Sequence, residues 1–328
     1  MGEVKTGKRL NASIIKKLIL IVAVYALIMI LLKGGLLNRQ YTALLVPIAV
    51  NVILAVSLNL VTGFLGELTL GHAGFMSSGA YTGALITLNL TSVPGPVAFA
   101  LALILGGVVA AVFGVLIGVP VLRLRGDYLA IVTLGFGEII KSILNALPFT
   151  NGPKGLSKIP MYANYQHFTL VFIIMVVTVV LISNLVKSRD GRAICAIRDN
   201  DIATEAVGIN VSRYKVVAFV ISAFFAGVAG VLYAHNVSII KPTTFDYNKS
   251  IEILVIVVLG GMGSIKGSVI AAVILTALPE MLRGADDYRM LLYAVVLIVI
   301  MLFNHSKIKE GLMANRTTGK LFRKKEAK

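Results

Sequence analysis

Residues 189–215 read RDGRAICAIRDNDIATEAVGINVSRYK and form a charged island in a very apolar chain. Apolar segments long enough to cross a bilayer lie on both sides of it, at residues 167–186 and 213–234. A membrane protein that keeps one compact, helix-prone polar loop between two spans presents that loop to water. The pattern predicts that this loop contacts another protein in the cytoplasm.

The composition of the whole chain indicates a membrane protein built from helices. Of the 328 residues, 57% are hydrophobic and 14% are charged, whereas a soluble domain carries about 25% charged residues. Strands of a membrane β-barrel alternate apolar and polar residues. Here the apolar runs are continuous, as in Leu18–Leu32, Val171–Ile182 and Leu291–Phe303. We therefore expect an all-α, polytopic helical membrane protein.

The hydrophobic pattern predicts about ten membrane segments, of which eight to ten cross fully. Residues 63–90 and 248–283 are rich in glycine and partly polar, which is typical of re-entrant segments. Segments two to five and seven to ten would form two four-helix groups of opposite topology around segment six, as in many transporters. The predicted segments are residues 14–32, 41–62, 70–90, 96–122, 127–147, 167–186, 213–234, 248–262, 265–283 and 287–304.

The basic residues predict the orientation of the chain. The formal net charge is +16, which in a soluble protein would suggest nucleic-acid binding. With both termini in the cytoplasm, however, inside segments hold 22 Lys and Arg residues and outside loops hold 8, as the positive-inside rule requires. The expected organisation is a basic N-terminal tail (1–13), a transmembrane domain (14–304) with a cytoplasmic loop at 187–212, and a basic C-terminal tail (305–328). The tails can also lie against anionic lipids.

The charged loop contains the signals of two short helices. Ile194 and Ile197 share one helical face, the sequence Asp199–Asp201 offers N-cap residues, and Gly208 suits the left-handed position that ends a helix. Glu205 is expected near the positive end of a second helix at residues 202–207. Two helices joined by a capped turn would form a rigid protrusion that fits a groove on a partner. An ordinary solvated loop remains the alternative.

Other unusual residues lie inside the spans. Glu138 and Lys141 are one helical turn apart, where a lone charge would cost about 2.5–3.5 kcal/mol. They predict either a structural ion pair or a polar solute path. Glycines cluster at residues 63–83 and 260–267, and predict close helix packing or helix breaks that border such a path. His72 lies near a span end, where a capping role is favoured over solute contact.

Several catalytic patterns are missing from the sequence. It contains no G-x-x-x-x-G-K-[ST] phosphate loop, no H-E-x-x-H or Cys/His metal motif, and no G-x-S-x-G nucleophile elbow. We therefore expect a non-catalytic chain that binds no metal or cofactor itself.

Eight short motifs, in a consistent order, make the chain resemble the LivM-type permease subunit of branched-chain amino acid ABC importers. The loop motif runs from Gly191-Arg192 through Arg198–Asp201 to Glu205–Asn210. The other motifs are Asn59–Gly63, Gly66–Phe75, Gly79–Tyr81, Gly126–Gly135, Thr150–Gly152, Gly155-Leu156, and Leu259–Ser264 with Gly267. In ABC importers generally, a loop with Glu-Ala-Ala and a later Gly docks the ATPase. Here Glu205-Ala206-Val207-Gly208 departs from that pattern, so the docking role rests on the position of the loop.

The resemblance implies an import machine in a bacterial cell membrane. This chain would pair with a second, related permease, with two peripheral ATPases that carry the ATP and with an extracytoplasmic binding protein that delivers leucine, isoleucine or valine. An importer of urea or short amides and a stand-alone secondary transporter remain alternatives. The expected ATPase-coupling residues are Arg192, Arg198, Asp199, Asp201, Glu205 and Gly208. The expected path residues are Gly71, His72, Gly74, Glu138 and Lys141.

Overall fold

A computed structural model describes residues 38–282 except Thr91, Arg123 and Arg125, together with residues 19, 21–32, 34, 291, 294, 295 and 298. Both predicted tails and most of segment 287–304 lie outside these residues. In the described part the secondary structure is helical, with one isolated β-bridge and no strand, which confirms the all-α prediction. The helices are α1 Ile21–Leu32, α2 Arg39–Asn59, α3 His72–Asn89, α4 Gly95–Val121, α5 Asp127–Ala146, α6 Phe168–Lys187, α7 Arg189–Asp199, α8 Asp201–Ala206, α9 Val211–Val237, α10 Tyr247–Gly260 and α11 Ile265–Met281.

Five of these helices are long and apolar enough to cross a membrane: α2 with its continuation to Leu65, α4, α5, α6 with the short turn before it, and α9. By contrast, α10 has 14 residues and extends only about 21 Å at 1.5 Å per residue, less than the hydrocarbon core of about 30 Å. This shortness agrees with the expected interruption at 248–283. The number of full crossings and the inverted pairing of two four-helix groups stay predictions, because the tenth segment is mostly undescribed.

The helix α2 changes its winding before it ends. Residues Leu60–Leu65 continue α2 as one π-helical segment, and all six are buried. The segment ends at Gly66, which has a left-handed φ of 84° that glycine adopts without steric cost. One turn earlier, Ser222 of α9 donates a hydrogen bond to the Ser57 carbonyl oxygen at 2.6 Å. Because π-helical segments are rare and often occur at functional sites, this end of α2 is a candidate for a functional region of the protein.

The centre of the molecule is a close junction of α3, α4 and α9. A Cβ atom on Gly79 of α3 would collide with the backbone of Gly227 in α9, and one on Gly230 would collide with the Met76 carbonyl group. A Cβ atom on Gly106 of α4 would lie 3.0 Å from the Gly79 carbonyl oxygen. In lipid, helices associate through packing and hydrogen bonds rather than the hydrophobic effect, so small residues at crossings let the backbones approach. Here the predicted packing role of the glycine cluster is confirmed for Gly79.

At the end of the bundle opposite α7 and α8, the loop between α5 and α6 is tied to the end of α9. Leu156 and Ile240 exchange backbone hydrogen bonds of 3.0 and 2.9 Å, and Ser238 Oγ donates to the Ile159 carbonyl oxygen at 2.8 Å. His235 is buried and shares a hydrogen bond of 3.0 Å with Thr87 Oγ1. The α5–α6 loop and the end of α9 therefore form one ordered surface.

The glycine junction gives a stability test. We expect Gly79→Ala to lower the free energy of unfolding by about 1–3 kcal/mol, because the new methyl group meets the backbone of Gly227, which cannot move aside. Thermal unfolding of the detergent-solubilised protein measures the effect.

Gly135→Ala is the matched control, because a Cβ atom at Gly135 in α5 meets nothing within 4 Å. Its methyl group should leave stability unchanged or raise it by about 0.5–1 kcal/mol through the higher helix propensity of alanine. Equal melting temperatures for the two variants would contradict the packing assignment.

Candidate coupling loop and path residues

Three side-chain caps define the loop between α6 and α9. Ser188 Oγ accepts a hydrogen bond from the Gly191 N–H at 3.1 Å, Asn200 Oδ1 from the Ala203 N–H at 2.9 Å, and Asn210 Oδ1 from the Arg213 N–H at 3.0 Å. Such caps satisfy backbone donors that the first turn of a helix leaves unpaired. Gly208 ends α8 with a left-handed φ of 88°. The predicted pair of short helices with a capped turn is thus confirmed.

The loop has an apolar inner face and an exposed outer face. Ile194 and Ile197 of α7 are buried against the bundle, as their spacing predicted. In the outer part, Ile202 is 68% exposed and Val207 is 82% exposed. Two large aliphatic side chains of the loop are therefore accessible from outside the bundle.

The six predicted coupling residues do not share one environment. Asp201 is half-buried, whereas Arg192, Asp199, Glu205 and Gly208 are exposed. The prediction for Glu205 was wrong in one respect. Because α8 begins at Asp201 and ends at Ala206, Asp201 occupies the positive first turn and Glu205 lies near the opposite end.

Arg198 differs from the other five because its side chain reaches back into the bundle. Its Nη1 donates to the Gly63 carbonyl oxygen in the π-helical segment at 3.2 Å, while Nε and Nη2 donate to Asp199 Oδ1 at 3.1 and 2.9 Å. The guanidinium therefore joins the end of α7 to the end of α2. Sequence reasoning missed this contact, which links residues 135 positions apart.

Asn59 is a second residue that the sequence did not single out for a role. Its Oδ1 accepts from the Gly263 N–H at 2.8 Å, and its Nδ2 donates to Ser268 Oγ at 2.8 Å. These bonds tie α2 to the turn between α10 and α11. An asparagine inside an otherwise apolar run was the available signal, because a fully buried amide must find partners.

A buried ion pair joins the segment after α2 to the start of α9. Lys215 Nζ contacts Glu67 Oε1, and the two side chains are only 9% and 12% exposed. Removing one partner of such a pair leaves an uncompensated charge in a poorly solvated site, which costs about 3–5 kcal/mol. With 148 positions between them, no sequence spacing connects the two residues.

Three of the predicted path residues lie at the start of α3. A Cβ atom on Gly71 would lie 2.7 Å from the Thr133 carbonyl oxygen, and one on Gly74 would lie 2.9 Å from the Gly137 Cα atom. Both glycines therefore serve the contact of α3 with α5. His72 is buried, and its Nε2 shares a hydrogen bond of 3.0 Å with Ser57 Oγ. Whether a solute passes these residues stays a prediction.

Glu138 and Lys141 form the ion pair that their spacing predicted, with 2.8 Å between Oε2 and Nζ. Glu138 Oε1 also accepts a hydrogen bond from the Tyr247 N–H at 3.1 Å, so the carboxylate lies at the positive end of α10. A second pair, Lys249 and Glu252, follows on α10 at 3.0 Å. This pair was not predicted from the sequence, and it adds charge to the start of the 14-residue helix α10.

Comparisons with known proteins place the chain in a family. A family model described as "Branched-chain amino acid transport system / permease component" matches residues 40–301. The LivM permease proteins of the high-affinity branched-chain amino acid transport systems of Salmonella typhimurium and Escherichia coli are 37% and 36% identical to this chain over 286 residues. That region is 77% of this chain and 66% of each relative.

A more distant relative covers nearly the whole length of both chains. The ribose import permease protein RbsC of Escherichia coli is 26% identical over 313 residues, which are 89% of this chain and 94% of that protein. No solved structure gives a significant match.

The family model covers the bundle from α2 onward, including the capped loop and the interrupted end of α2. The chain is 36–37% identical to the LivM proteins and spans 66% of their length. The chain therefore belongs to the family of permease components of branched-chain amino acid transport systems.

Proposed function

We propose that this chain is a membrane-spanning permease subunit of an ABC importer for leucine, isoleucine and valine. The observation that supports this most is the 36–37% identity to LivM permeases over 77% of the chain. A second, related permease would complete the translocation path. An extracytoplasmic binding protein would deliver the solute to the ordered surface formed by the α5–α6 loop and the end of α9.

The exposed part of the α7–α8 loop is the proposed contact with the ATPase subunits. It offers the aliphatic side chains of Ile202 and Val207 beside the carboxylate of Glu205. Exposed aliphatic side chains beside a carboxylate suit a partner groove with basic groups at its rim. Because α7 is capped and its inner face is buried, a force on these side chains would move the loop as a unit.

The proposed mechanism is alternating access driven from the cytoplasmic side. ATP-dependent closure of the two ATPases would displace the α7–α8 loop and change the packing of α2, α10 and α11. The permease would provide only weak contacts along the path, since a site that binds tightly would trap the solute. Specificity for the aliphatic side chain would then reside mainly in the delivering protein.

Uptake by reconstituted vesicles tests the proposed function. The vesicles contain this chain, its partner permease, the ATPases and the binding protein. We expect them to accumulate radiolabelled leucine, isoleucine or valine only when ATP is supplied on the side of the membrane that carries the ATPases. The chain contains no phosphate loop of its own.

Vesicles with this chain alone are the control. Uptake by them without an ATPase would contradict the proposal and identify a stand-alone transporter. Competition by urea or acetamide, without competition among the three amino acids, would contradict the assigned solute.

The docking surface gives a second prediction. Asp201→Lys or Glu205→Lys should reduce the ATPase that co-purifies with the permease by about tenfold, since charge reversal at a contact costs roughly 1–3 kcal/mol. The amount of permease in the membrane should not change. Asp127→Lys is the matched control, because Asp127 is exposed outside this loop, and it should retain the ATPase. Normal co-purification with both loop variants would count against the docking role.

The orientation can be tested with the natural cysteine, Cys195 of α7, the one cysteine of the chain. A membrane-impermeant maleimide should label it in inside-out vesicles and not in intact cells. Burial raises the pKa of the Cys195 thiol, while Arg198 lowers it and Asp199 raises it. Because the thiolate is the reactive form, labelling in vesicles should quicken as the pH rises toward that elevated pKa. Labelling of intact cells would reverse the assigned orientation.

A further inference from the structure

Arg198 lies on the loop that is proposed to contact the ATPases, but its guanidinium is bound on the side of the bundle. Nη1 donates to the Gly63 carbonyl oxygen at 3.2 Å, and the side chain is 39% exposed. The same guanidinium holds Asp199 through Nε and Nη2. One planar group thus connects the last turn of α7 to a carbonyl oxygen of the π-helical segment of α2. Hydrogen bonds from a charged donor are about twice as strong as neutral ones.

The space on the bundle side of this contact is narrow. A Cβ atom on Gly66 would lie 2.7 Å from Arg198 Cγ, and one on Gly263 would lie 3.3 Å from Arg198 Nη1. A Cβ atom on Gly63 would collide with Asn59 Oδ1 and the Gly263 N–H. The missing side chains of Gly66 and Gly263 therefore leave room for the arginine, and the Gly63 carbonyl oxygen accepts its hydrogen bond.

The contact continues beyond α2. Asn59, one turn before Gly63, accepts the Gly263 N–H at 2.8 Å and donates to Ser268 Oγ at 2.8 Å. Gly263 and Ser268 belong to the turn between α10 and α11 and to the start of α11. On the other side, the buried pair of Glu67 and Lys215 joins the segment after α2 to α9. The end of α2 is thus bonded to four other helices or their termini.

Packed elements in a membrane protein shift between discrete arrangements rather than deforming continuously. A π-helical segment is a suitable hinge for such a shift, because its hydrogen-bond pattern already departs from that of the helix before it. Movement of α7 would act on this segment through the shortest polar connection between them, which is Arg198 to Gly63.

We propose that Arg198 is a positioning residue that transmits movement of the α7–α8 loop to the interrupted end of α2 and to the α10–α11 turn, and that it is not an ATPase contact. This role rests on the proposed function. It assigns Arg198 to the coupling of ATP hydrolysis to transport, whereas the exposed loop residues attach the ATPases.

The test uses the complete importer purified from membranes and placed in vesicles, with leucine, isoleucine and valine as solutes. Arg198→Gln should retain the ATPases and hydrolyse ATP, while the number of solute molecules taken up per ATP falls by about tenfold. Arg198→Lys keeps the charge, but its single ammonium group cannot reproduce the bonds of the planar guanidinium to both Gly63 and Asp199. Its ratio of solute to ATP should therefore be intermediate. Arg213→Gln, an exposed arginine in the first turn of α9, should behave as the unmodified importer.

A second measurement separates transmission from simple loss of structure. Binding of a non-hydrolysable ATP analogue should change amide hydrogen exchange in residues 189–199 of both the unmodified importer and the Arg198→Gln variant. Exchange in residues 60–66 should change in the unmodified importer only.

Three results would overturn the role of Arg198: an unchanged ratio of solute to ATP in Arg198→Gln, loss of the ATPases from that variant, or the same exchange response at 60–66 in both proteins. If Arg198→Gln does not accumulate in the membrane, Arg198→Lys decides by the same ratio, and a normal ratio overturns the proposal. Absence of ATP-dependent uptake by the unmodified importer would instead refute the proposed function.

Discussion

The backbone at the end of α2 leaves its regular hydrogen-bond pattern in a fully buried position, where water cannot supply the missing partners. An unpaired backbone group in such surroundings costs several kcal/mol, so side chains from other helices must approach. Ser222 binds the Ser57 carbonyl oxygen and Arg198 binds that of Gly63. Helices α9 and α7 thus supply the donors for these two carbonyl groups, and the side chain of Asn59 adds a separate connection to the α10–α11 turn.

The rest of the bundle provides a frame for this junction. At the crossing of α3, α4 and α9, glycines replace side chains and the backbones come into direct contact. Helices α4, α5 and α6 carry large exposed aliphatic side chains on their outer faces, among them Leu116, Ile131 and Ile173. Such faces suit lipid or a second permease subunit. The contrast between a close-packed interior and an apolar exterior is typical of a helical membrane protein.

A relative named for ribose import also matches this chain, over 89% of its length. A scaffold that serves an aliphatic amino acid in one relative and a sugar in another does not by itself specify the solute. This is consistent with a path that has weak contacts and with selection by a separate binding protein. The charged pairs on α5 and α10 stabilise the start of α10 in this structure, and any contact with a solute would be additional to that.

The sequence by itself determined the features that depend on neighbouring residues. Continuous apolar runs specified helices, and the cap candidates Asp199–Asp201 with Gly208 indicated the limits of α8. The spacing of Glu138 and Lys141 allowed the observed ion pair, because side chains one helical turn apart can meet in any helix. Glu205 was misplaced because it is the fifth of the six residues of α8, so it lies near the carbonyl end and not in the positive first turn. Only the tertiary structure decided that Arg198 turns inward to Gly63, that Glu67 pairs with Lys215, and that Asn59 holds Gly263. Those partners lie 135, 148 and 204 positions apart, and no local periodicity records which distant helices will be neighbours.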